Sequence, residues 1–318
     1  MRSSPARRPK LLPPHRQPRK TAAAPQLIVA GRGNLGRSLA RGLRAAGHRV
    51  RLVSARTELQ LLIRARKSRS GVAVVFLTVP DSAVRDVAVK LAAGGPAIPD
   101  TVAFVHTSGA LELGALAPLR QRHSVGSFHP LRSFPEPGRA EAFRGIVIAV
   151  DASSAWLRRV LERLARDMGA KPRRVEDRQR ALYHAAAVFA SNYVVALLGE
   201  AVGLLERSGW TEKDALRGLI PLAQGAVANV RKQGPTAALT GPIRRGDAET
   251  ITRHLAALGE LDARPGRRSD PRRMDVYRML GQVALEIAKQ AGLEPAAAER
   301  TRRALTRKVA ATRRRSRS

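Results

Sequence analysis

The first half of the chain alternates short apolar runs with segments in which apolar residues recur at helical spacing. The runs "LIVA", "VAVVFL" and "VAFV" are apolar at every position, which is typical of strands in a parallel sheet that is covered on both faces. After the first run, Leu35, Leu39 and Leu43 form one helical stripe that stops at Gly47. This alternation predicts an α/β fold, a doubly wound and mostly parallel Rossmann sheet, over residues 26–176.

After Asp177 the strand pattern disappears and helical periodicity continues towards the carboxyl terminus. The long apolar run from 178 to 209 predicts one continuous helix, and glycine and proline separate it from the segments that follow. We therefore expect an all-α second domain over 177–295. Its further predicted helices lie near 211–232, 247–260 and 272–291.

Residues 181–199 are apolar enough to raise the question of a membrane span. Three polar residues interrupt the run, namely His184, Ser191 and Asn192. Polar groups are costly inside a bilayer, so the run is better interpreted as the central helix of the second domain. We expect no transmembrane segment.

Charge changes the interpretation of the two ends. The formal net charge is +33, and residues 1–20 hold 7 Lys and Arg while residues 300–318 hold 9, with no acid in either stretch. Residues 1–25 are rich in proline and arginine, which predicts a disordered basic tail, and 296–318 is interpreted as a second basic tail. Such tails could contact nucleic acid or an anionic surface nonspecifically, or could simply be solvated.

The chain contains no cysteine. This excludes disulfides, thiol nucleophiles and sites that need cysteine ligands, and it favours a reducing, cytoplasmic location. The first 25 residues also lack the apolar core of a secretory signal.

The turn after the first strand has the sequence "GRGNLG", a GxGxxG that opens a helix within a βαβ unit. In this context the pattern indicates a dinucleotide site. Gly31 permits the tight turn, Gly33 lets a pyrophosphate approach the backbone, and Gly36 lets the helix pack on the strand. The free N–H groups of the helix N-terminus, from Asn34 and Leu35 onwards, then bind the phosphate charge.

The second strand indicates which dinucleotide is bound. An NAD enzyme usually has Asp or Glu about 20 residues after the turn, but "LVSART" contains no acid before Glu58. Ser54 and Arg56 suit the 2′-phosphate of NADP(H), although a surface arginine would be unremarkable in this basic chain. Val79 and Pro80, at the end of the next strand, could lie against the nicotinamide or ribose. The predicted cofactor-binding residues are Gly31, Gly33, Asn34, Leu35, Gly36, Ser54, Arg56, Val79 and Pro80.

Two later strands end in residues that can carry chemistry. "VAFVHTSG" brings Ser108 to the carboxyl end of one strand, and "SVGSFHPL" brings His129 to the end of the next, where Pro130 stops it. In a doubly wound sheet, ligands bind beyond these carboxyl ends. An ordinary imidazole titrates near neutral pH, so His129 is a candidate acid or base, with a purely structural role as the alternative.

Several stretches together resemble a known family: "GRGNLGRSLARGL", "VPDSAV", "HTSGAL", "GSFHPLRSF", "ALYHAAAVFASNYVVALL" and "LTGPIRRGD". Residues 26–292 look like an uncharacterised bacterial family of candidate NADP-dependent oxidoreductases, with a Rossmann-like domain and a helical domain of unknown function. The plan is similar to that of the 6-phosphogluconate dehydrogenase-like superfamily, which includes ketopantoate reductases, pyrroline-5-carboxylate reductases and prephenate dehydrogenases.

The resemblance to prephenate dehydrogenases implies roles for three residues: Ser108 orients, His129 polarises or deprotonates a substrate hydroxyl, and His184 contacts substrate. It also implies a homodimer formed through the helical domain. Relatives often have a Lys-x-x-x-Asn on this helix; Asn192 is present here, but position 188 is Val, so a lysine mechanism is not expected.

Two further residues are candidates for substrate contact. Ser191 shares a helix face with His184. Arg245 lies in a glycine-flanked loop and could bind a carboxylate, or could be an ordinary surface residue, and Asp247 is expected to cap the following helix.

The sequence therefore predicts an NADP(H)-dependent oxidoreductase acting on a small keto or hydroxy acid that bears a carboxylate. The alternative is a non-catalytic NADP(H)-binding sensor or assembly protein that uses its basic tails on nucleic acid or membrane.

Overall fold

The structure is a computed structural model, which describes residues 25–55, 59, 72–93, 98–262 and 272–307. Two predicted segments fall outside these residues: the N-terminal tail up to residue 24 and the last part of the C-terminal tail. The position of Arg56 lies outside them as well.

Seven strands form one sheet in the order β2-β1-β3-β4-β5-β6-β7. The pairs from β2 across to β5 are parallel, β5 pairs antiparallel with β6, and β6 is parallel to β7. The prediction of a doubly wound, mostly parallel sheet is confirmed. The strands are β1 Gln26–Ala30, β2 Val50–Val53, β3 Ala73–Leu77, β4 Val102–His106, β5 Val125–Pro130, β6 Val147–Ala152 and β7 Lys171–Arg174.

Hydrophobic cores cover both faces of this sheet. Successive strand residues point to opposite faces, so Val29 and Phe76 join one core while Ile28 and Val75 join the other. The first core packs against α1 and α3, and the second against α2. These helices are α1 Asn34–Ala45, α2 Asp81–Ala92 and α3 Ala155–Asp167; two 3₁₀ helices span Leu113–Leu119 and Ala140–Phe143.

From Asp177 onwards, the described residues form helices joined by short connections. The predicted single helix over 178–209 is broken at Ser191, whose backbone leaves helical geometry (φ −126°, ψ −72°). The helix that contains Pro235 is interrupted at Gly234, where φ is 78°. These helices are α4 Asp177–Ala190, α5 Asn192–Arg207, α6 Glu212–Ala238, α7 Gly241–Arg245, α8 Ala248–Asp262, α9 Arg272–Gln290 and α10 Pro295–Thr306.

The chain divides into two compact units, with the division between Tyr193 and Val194. The predicted domain boundary at 176/177 lies at the start of α4, which belongs to the first unit. The reason is local: the buried Arg180 of α4 makes hydrogen bonds to residues of that unit. In the second unit, a small core joins Ile251, Leu285 and Leu305.

One detail of the sequence analysis is wrong, because Arg245 is the last residue of the short helix α7 rather than part of a loop. The stretch from 296 onwards, interpreted as a basic tail, begins as the helix α10, in which Ala298 and Leu305 are buried against α8 and α9. Asp247 caps α8 as predicted, since its carboxylate accepts hydrogen bonds from the backbone N–H and the hydroxyl of Thr250.

Among the described residues, one helical run, Asp177–Arg207, passes a test of length and composition for crossing a membrane, with a mean hydropathy of 1.7 in its most apolar window. This run is the pair α4 and α5. By itself it is weak support for a membrane span, because core helices of soluble proteins pass the same test.

Candidate active site

The glycine turn is locked onto the end of β3. The Thr78 hydroxyl donates to the carbonyl oxygens of Ala30 and Gly31, at 3.1 Å each. A Cβ on Gly31 would overlap the Thr78 carbonyl, and a Cβ on Gly36 would overlap the Gly31 carbonyl. Gly31 also has a φ of 130°, which favours glycine. Both glycines are therefore required by the fold of the turn itself.

Gly33 differs from the other two glycines. A Cβ on Gly33 would meet nothing within 4 Å, and its φ of −68° is open to any residue. Gly33 precedes the first residue of α1, and no side chain caps this helix N-terminus. The space over Gly33 and the adjacent N–H groups thus fit the pyrophosphate of a dinucleotide.

The other predicted cofactor residues lie along the same edge of the sheet. Ser54 follows β2, while the partly exposed Val79 and the exposed Pro80 follow β3. Pro80 is the N-cap of α2, so Asp81 is the first residue inside that helix.

Ser108 is buried and its hydroxyl is fully engaged. It donates to Asp81 at 2.6 Å and accepts from the backbone N–H groups of Ala110 and Leu111 at 3.1 and 3.0 Å. These bonds tie the loop after β4 to the start of α2. They suit a residue that holds the loop in place; the predicted orienting role in catalysis stays a prediction.

His129 is the last residue but one of β5, and Pro130 ends the strand as predicted. Its ring is held by α4, because Nδ1 lies 2.8 Å from the Tyr183 hydroxyl. The two rings meet edge to face with centroids 5.7 Å apart. The opposite ring nitrogen, Nε2, faces Gly109.

His184 approaches the same point from α4. Its ring centroid is 6.4 Å from that of His129. A Cβ on Gly109 would lie 2.9 Å from Nε2 of His129 and 2.9 Å from Nδ1 of His184. Nδ1 of His184 is buried without a hydrogen-bond partner among the described residues. The two imidazoles thus pack against the Cα of Gly109 and leave no room for a side chain there.

A fully buried guanidinium lies beneath this pair. Arg180 donates to the Ser127 hydroxyl and, at 3.5 Å, to the Ser108 carbonyl. Its Nε lies 3.5 Å from the carboxylate of Asp177. The site is therefore built on a buried positive charge.

Burial and charge keep the imidazole of His129 neutral. Burial, with the neighbouring His184 and Arg180, lowers the pKa of His129 to about 4, and Asp81 opposes this only in part. We expected the imidazole of His129 to titrate near neutral pH, and its burial and charged neighbours overturn that expectation. Burial raises the pKa of Tyr183 to about 12, which Arg180 partly offsets, so the phenol keeps its proton at ordinary pH.

The predicted substrate residues belong to both units. The Ser191 hydroxyl lies 3.0 Å from that of Ser133, and Asn192 is exposed at the start of α5. Arg245 is exposed and belongs to the second unit. The roles of all three stay predictions.

Sequence reasoning missed Tyr183, Arg180 and Gly109. Tyr183 directly precedes His184, and Arg180 lies four residues before it. Residues four apart share a helix face, so the face proposed for His184 could have suggested Arg180. Nothing in the sequence indicates that Tyr183 faces His129, because that contact joins residues 54 positions apart.

Residues 146–284 match the model of a protein family described as a domain of unknown function, DUF2520. A comparison with curated protein sequences gives no match.

Solved structures with the same fold are numerous. A candidate NADP oxidoreductase from Bacteroides fragilis is 23% identical, with a TM-score of 0.63 over 82% of this chain and 98% of that one. A protein from Thermotoga maritima is 24% identical, with a TM-score of 0.62 over 83% and 98%. An NADH-preferring ketol-acid reductoisomerase from an uncultured archaeon is 13% identical, with a TM-score of 0.52 over 84% of each chain. At these identities the likeness establishes the fold, a Rossmann-like domain followed by a helical region.

Proposed function

We propose that this protein is an NADP(H)-dependent oxidoreductase that transfers a hydride to or from a small keto or hydroxy acid bearing a carboxylate. The observation that carries the proposal is a shared edge: the glycine turn and the His129–His184 pair lie beyond the carboxyl ends of strands in one sheet. Ligands of doubly wound sheets bind at this edge.

The residues present fit a dinucleotide. Gly31 and Gly36 have no room for a side chain, whereas the space over Gly33 is open. When bound, a nicotinamide dinucleotide supplies or accepts the hydride. The preference for NADP(H) rests on the residues after β2, where Ser54 and Arg56 stand in place of an acid.

The imidazole pair suits the oxygen of the substrate. A hydride transfer to a carbonyl carbon leaves charge on the oxygen, and an imidazole of the His129–His184 pair can donate a hydrogen bond to that oxygen. The partly buried surroundings strengthen these hydrogen bonds and limit access of water.

The test combines binding with turnover. NADPH is expected to raise the thermal unfolding midpoint, and NADH at the same concentration to raise it less. A panel of 2-keto acids is then screened for ligands that stabilise only the NADPH-loaded protein, and hits are assayed by the loss of NADPH absorbance.

His129→Asn is expected to keep NADPH binding and to lower turnover by at least about tenfold, because it removes a positioned proton donor or acceptor. His48→Asn is the matched control, since His48 precedes β2 at the opposite edge of the sheet. A protein indifferent to both dinucleotides would sink the proposal, and full turnover by His129→Asn would remove His129 from it.

A further inference from the structure

Tyr183 contacts His129, the candidate acid or base, on the Nδ1 side of its ring. Its hydroxyl lies 2.8 Å from Nδ1 of His129, while Nε2 of the same ring faces Gly109. In a neutral imidazole one nitrogen carries the hydrogen and the other accepts, and the hydrogen bond made by one nitrogen decides which. The partner of Nδ1 therefore determines what Nε2 can offer to a substrate.

A phenol paired with a neutral imidazole donates rather than accepts, because the phenol O–H is the more acidic of the two groups and the unprotonated imidazole nitrogen is the better base. Both members of this pair are neutral at ordinary pH, as the lowered pKa of His129, about 4, and the raised pKa of Tyr183, about 12, indicate. The Tyr183 hydroxyl then donates to Nδ1, and the hydrogen of His129 resides on Nε2.

We propose that Tyr183 is a positioning residue that holds His129 as an Nε2–H donor, so that His129 can donate a hydrogen bond, and then a proton, to a carbonyl oxygen that is being reduced. This inference rests on the proposed function and adds to it the proton donor and the chemical group that it recognises.

The proton balance of the reduction follows from this arrangement. The carbonyl carbon receives a hydride from NADPH, which becomes NADP⁺, and the π electron pair of the C=O bond moves to the oxygen. The oxygen takes the proton from Nε2 of His129, and Nδ1 takes the proton of the Tyr183 hydroxyl. The Tyr183 phenolate regains a proton from water. His129, left neutral with its hydrogen on Nδ1, returns to the Nε2–H form by proton exchange with water before the next turnover.

Two neighbours make this relay feasible. Arg180 is close enough to lower the pKa of Tyr183, so its buried charge stabilises the transient phenolate. Tyr183 is itself only partly buried, which leaves water access for its reprotonation. The groups that act on His129 are His184 and Arg180, which disfavour a charged ring, and Asp81, which favours it.

Gly109 is part of the same device. Any Cβ at this position would lie 2.7 Å from Cε1 and 2.9 Å from Nε2 of His129, too close for either ring to keep its place. The absence of a side chain here lets both imidazole rings pack against the Cα of Gly109.

The test compares Tyr183→Phe with the unmodified protein by ¹⁵N NMR of the histidine rings, which needs no substrate. His129→Asn identifies the signals of His129. In the unmodified protein at pH 7 we expect the proton on Nε2 and an Nδ1 signal typical of a hydrogen-bond acceptor. In Tyr183→Phe, Nδ1 should shift towards the position of an unbonded nitrogen.

Tyr277→Phe is the matched control, because Tyr277 makes a similar 2.7 Å bond to Nδ1 of His254 in the second unit. It should leave the His129 signals unchanged. With a substrate in hand, Tyr183→Phe should lower kcat by at least about tenfold while KM stays within about twofold, as expected for a group that acts in the proton transfer.

A proton on Nδ1 of His129 in the unmodified protein, or an Nδ1 signal that ignores Tyr183→Phe, would overturn the inference. Failure of the proposed function looks different, because a protein that binds no NADPH would still report the tautomer of His129.

Discussion

His106 ends β4 with its ring completely buried, and neither ring nitrogen has a hydrogen-bond partner among the described residues. Burial, together with Arg180 and His129, lowers the pKa of His106 to about 3, and the backbone of Glu112 opposes this weakly. A buried imidazole of this kind stays neutral in the folded protein. It lowers the free energy of unfolding only at a pH at which the same ring is protonated in the unfolded chain.

The stability of the fold should therefore fall in acid. The unfolded ring takes a proton as the pH drops through about 6.5, whereas His106 in the folded protein stays neutral down to about 3. The unfolded state binds one proton more across this window, so the free energy of unfolding decreases by up to about 1.4 kcal/mol per pH unit for this group. This loss of stability begins as the pH falls below about 6.5 and is complete near pH 3.

His106→Leu should remove the part of that slope that His106 contributes, while His129, whose pKa is lowered to about 4, keeps its own part. At pH 7 the free energy of unfolding should change by less than about 1.5 kcal/mol, since the volume is similar and no hydrogen bond is lost. Urea unfolding at pH 7, 6, 5 and 4 measures both quantities. An equal decline with pH in the two proteins would show that His106 does not carry the effect.

Single residues also show how far sequence reasoning reaches. His129 could be found because a strand that stops at His-Pro is a local pattern. Its lowered pKa could not, because the causes are burial and then His184 and Arg180, which both come from the later helix α4. The spacing of neighbouring residues does not reveal a pKa shift that is caused by burial and by residues far away in the sequence.

At the scale of elements, the most reliable predictions were those in which apolar pattern and glycine punctuation agree, as in β1, its turn and α1. The break at Ser191 was missed because no glycine or proline marks it and the apolar run continues on both sides of it. The antiparallel pairing of β5 with β6 was not anticipated, since strand direction depends on the path of the connection rather than on the composition of the strand.

The glycine turn allows folding and cofactor binding to be separated. Gly36→Ala should lower the thermal midpoint by several degrees, since its Cβ would overlap the Gly31 carbonyl and push α1 off the sheet. Gly33→Ala should leave the midpoint of the free protein within about 2 °C, because its Cβ meets nothing. Yet Gly33→Ala should weaken NADPH binding by about tenfold or more, since the methyl group fills the space meant for the pyrophosphate.

Differential scanning calorimetry with and without NADPH measures both variants. If Gly33→Ala bound NADPH as well as the unmodified protein, the open space over Gly33 would not be the pyrophosphate site.

At the scale of the whole molecule, the second unit leaves much apolar surface uncovered. Large apolar side chains on three of its helices are exposed, among them Val195 on α5 at 70%, Leu222 on α6 at 71% and Met279 on α9 at 66%. A cavity of about 470 Å³ between α5 and α9 is lined mainly by apolar groups. Soluble monomers rarely expose contiguous apolar surface of this extent.

We expect a second copy of the chain to cover this surface. A single membrane-crossing helix would account for α5 but not for the exposed apolar residues on α6 and α9, whereas an interface between copies can use several helices at once. Val195→Glu should weaken self-association at least about tenfold, because a buried carboxylate without a partner is costly. Val89→Glu is the matched control, as Val89 is 49% exposed on α2 in the first unit.

Sedimentation equilibrium over a hundredfold range of concentration measures the effect. Twice the chain mass is expected for the unmodified protein and for Val89→Glu, with a shift towards the chain mass for Val195→Glu. A single chain mass at every concentration, or binding to lipid vesicles in place of self-association, would contradict a dimer formed through α5, α6 and α9. Since exposed apolar residues on helices other than α5 are what favour a second copy over a bilayer, Leu222→Glu on α6 should weaken association as Val195→Glu does.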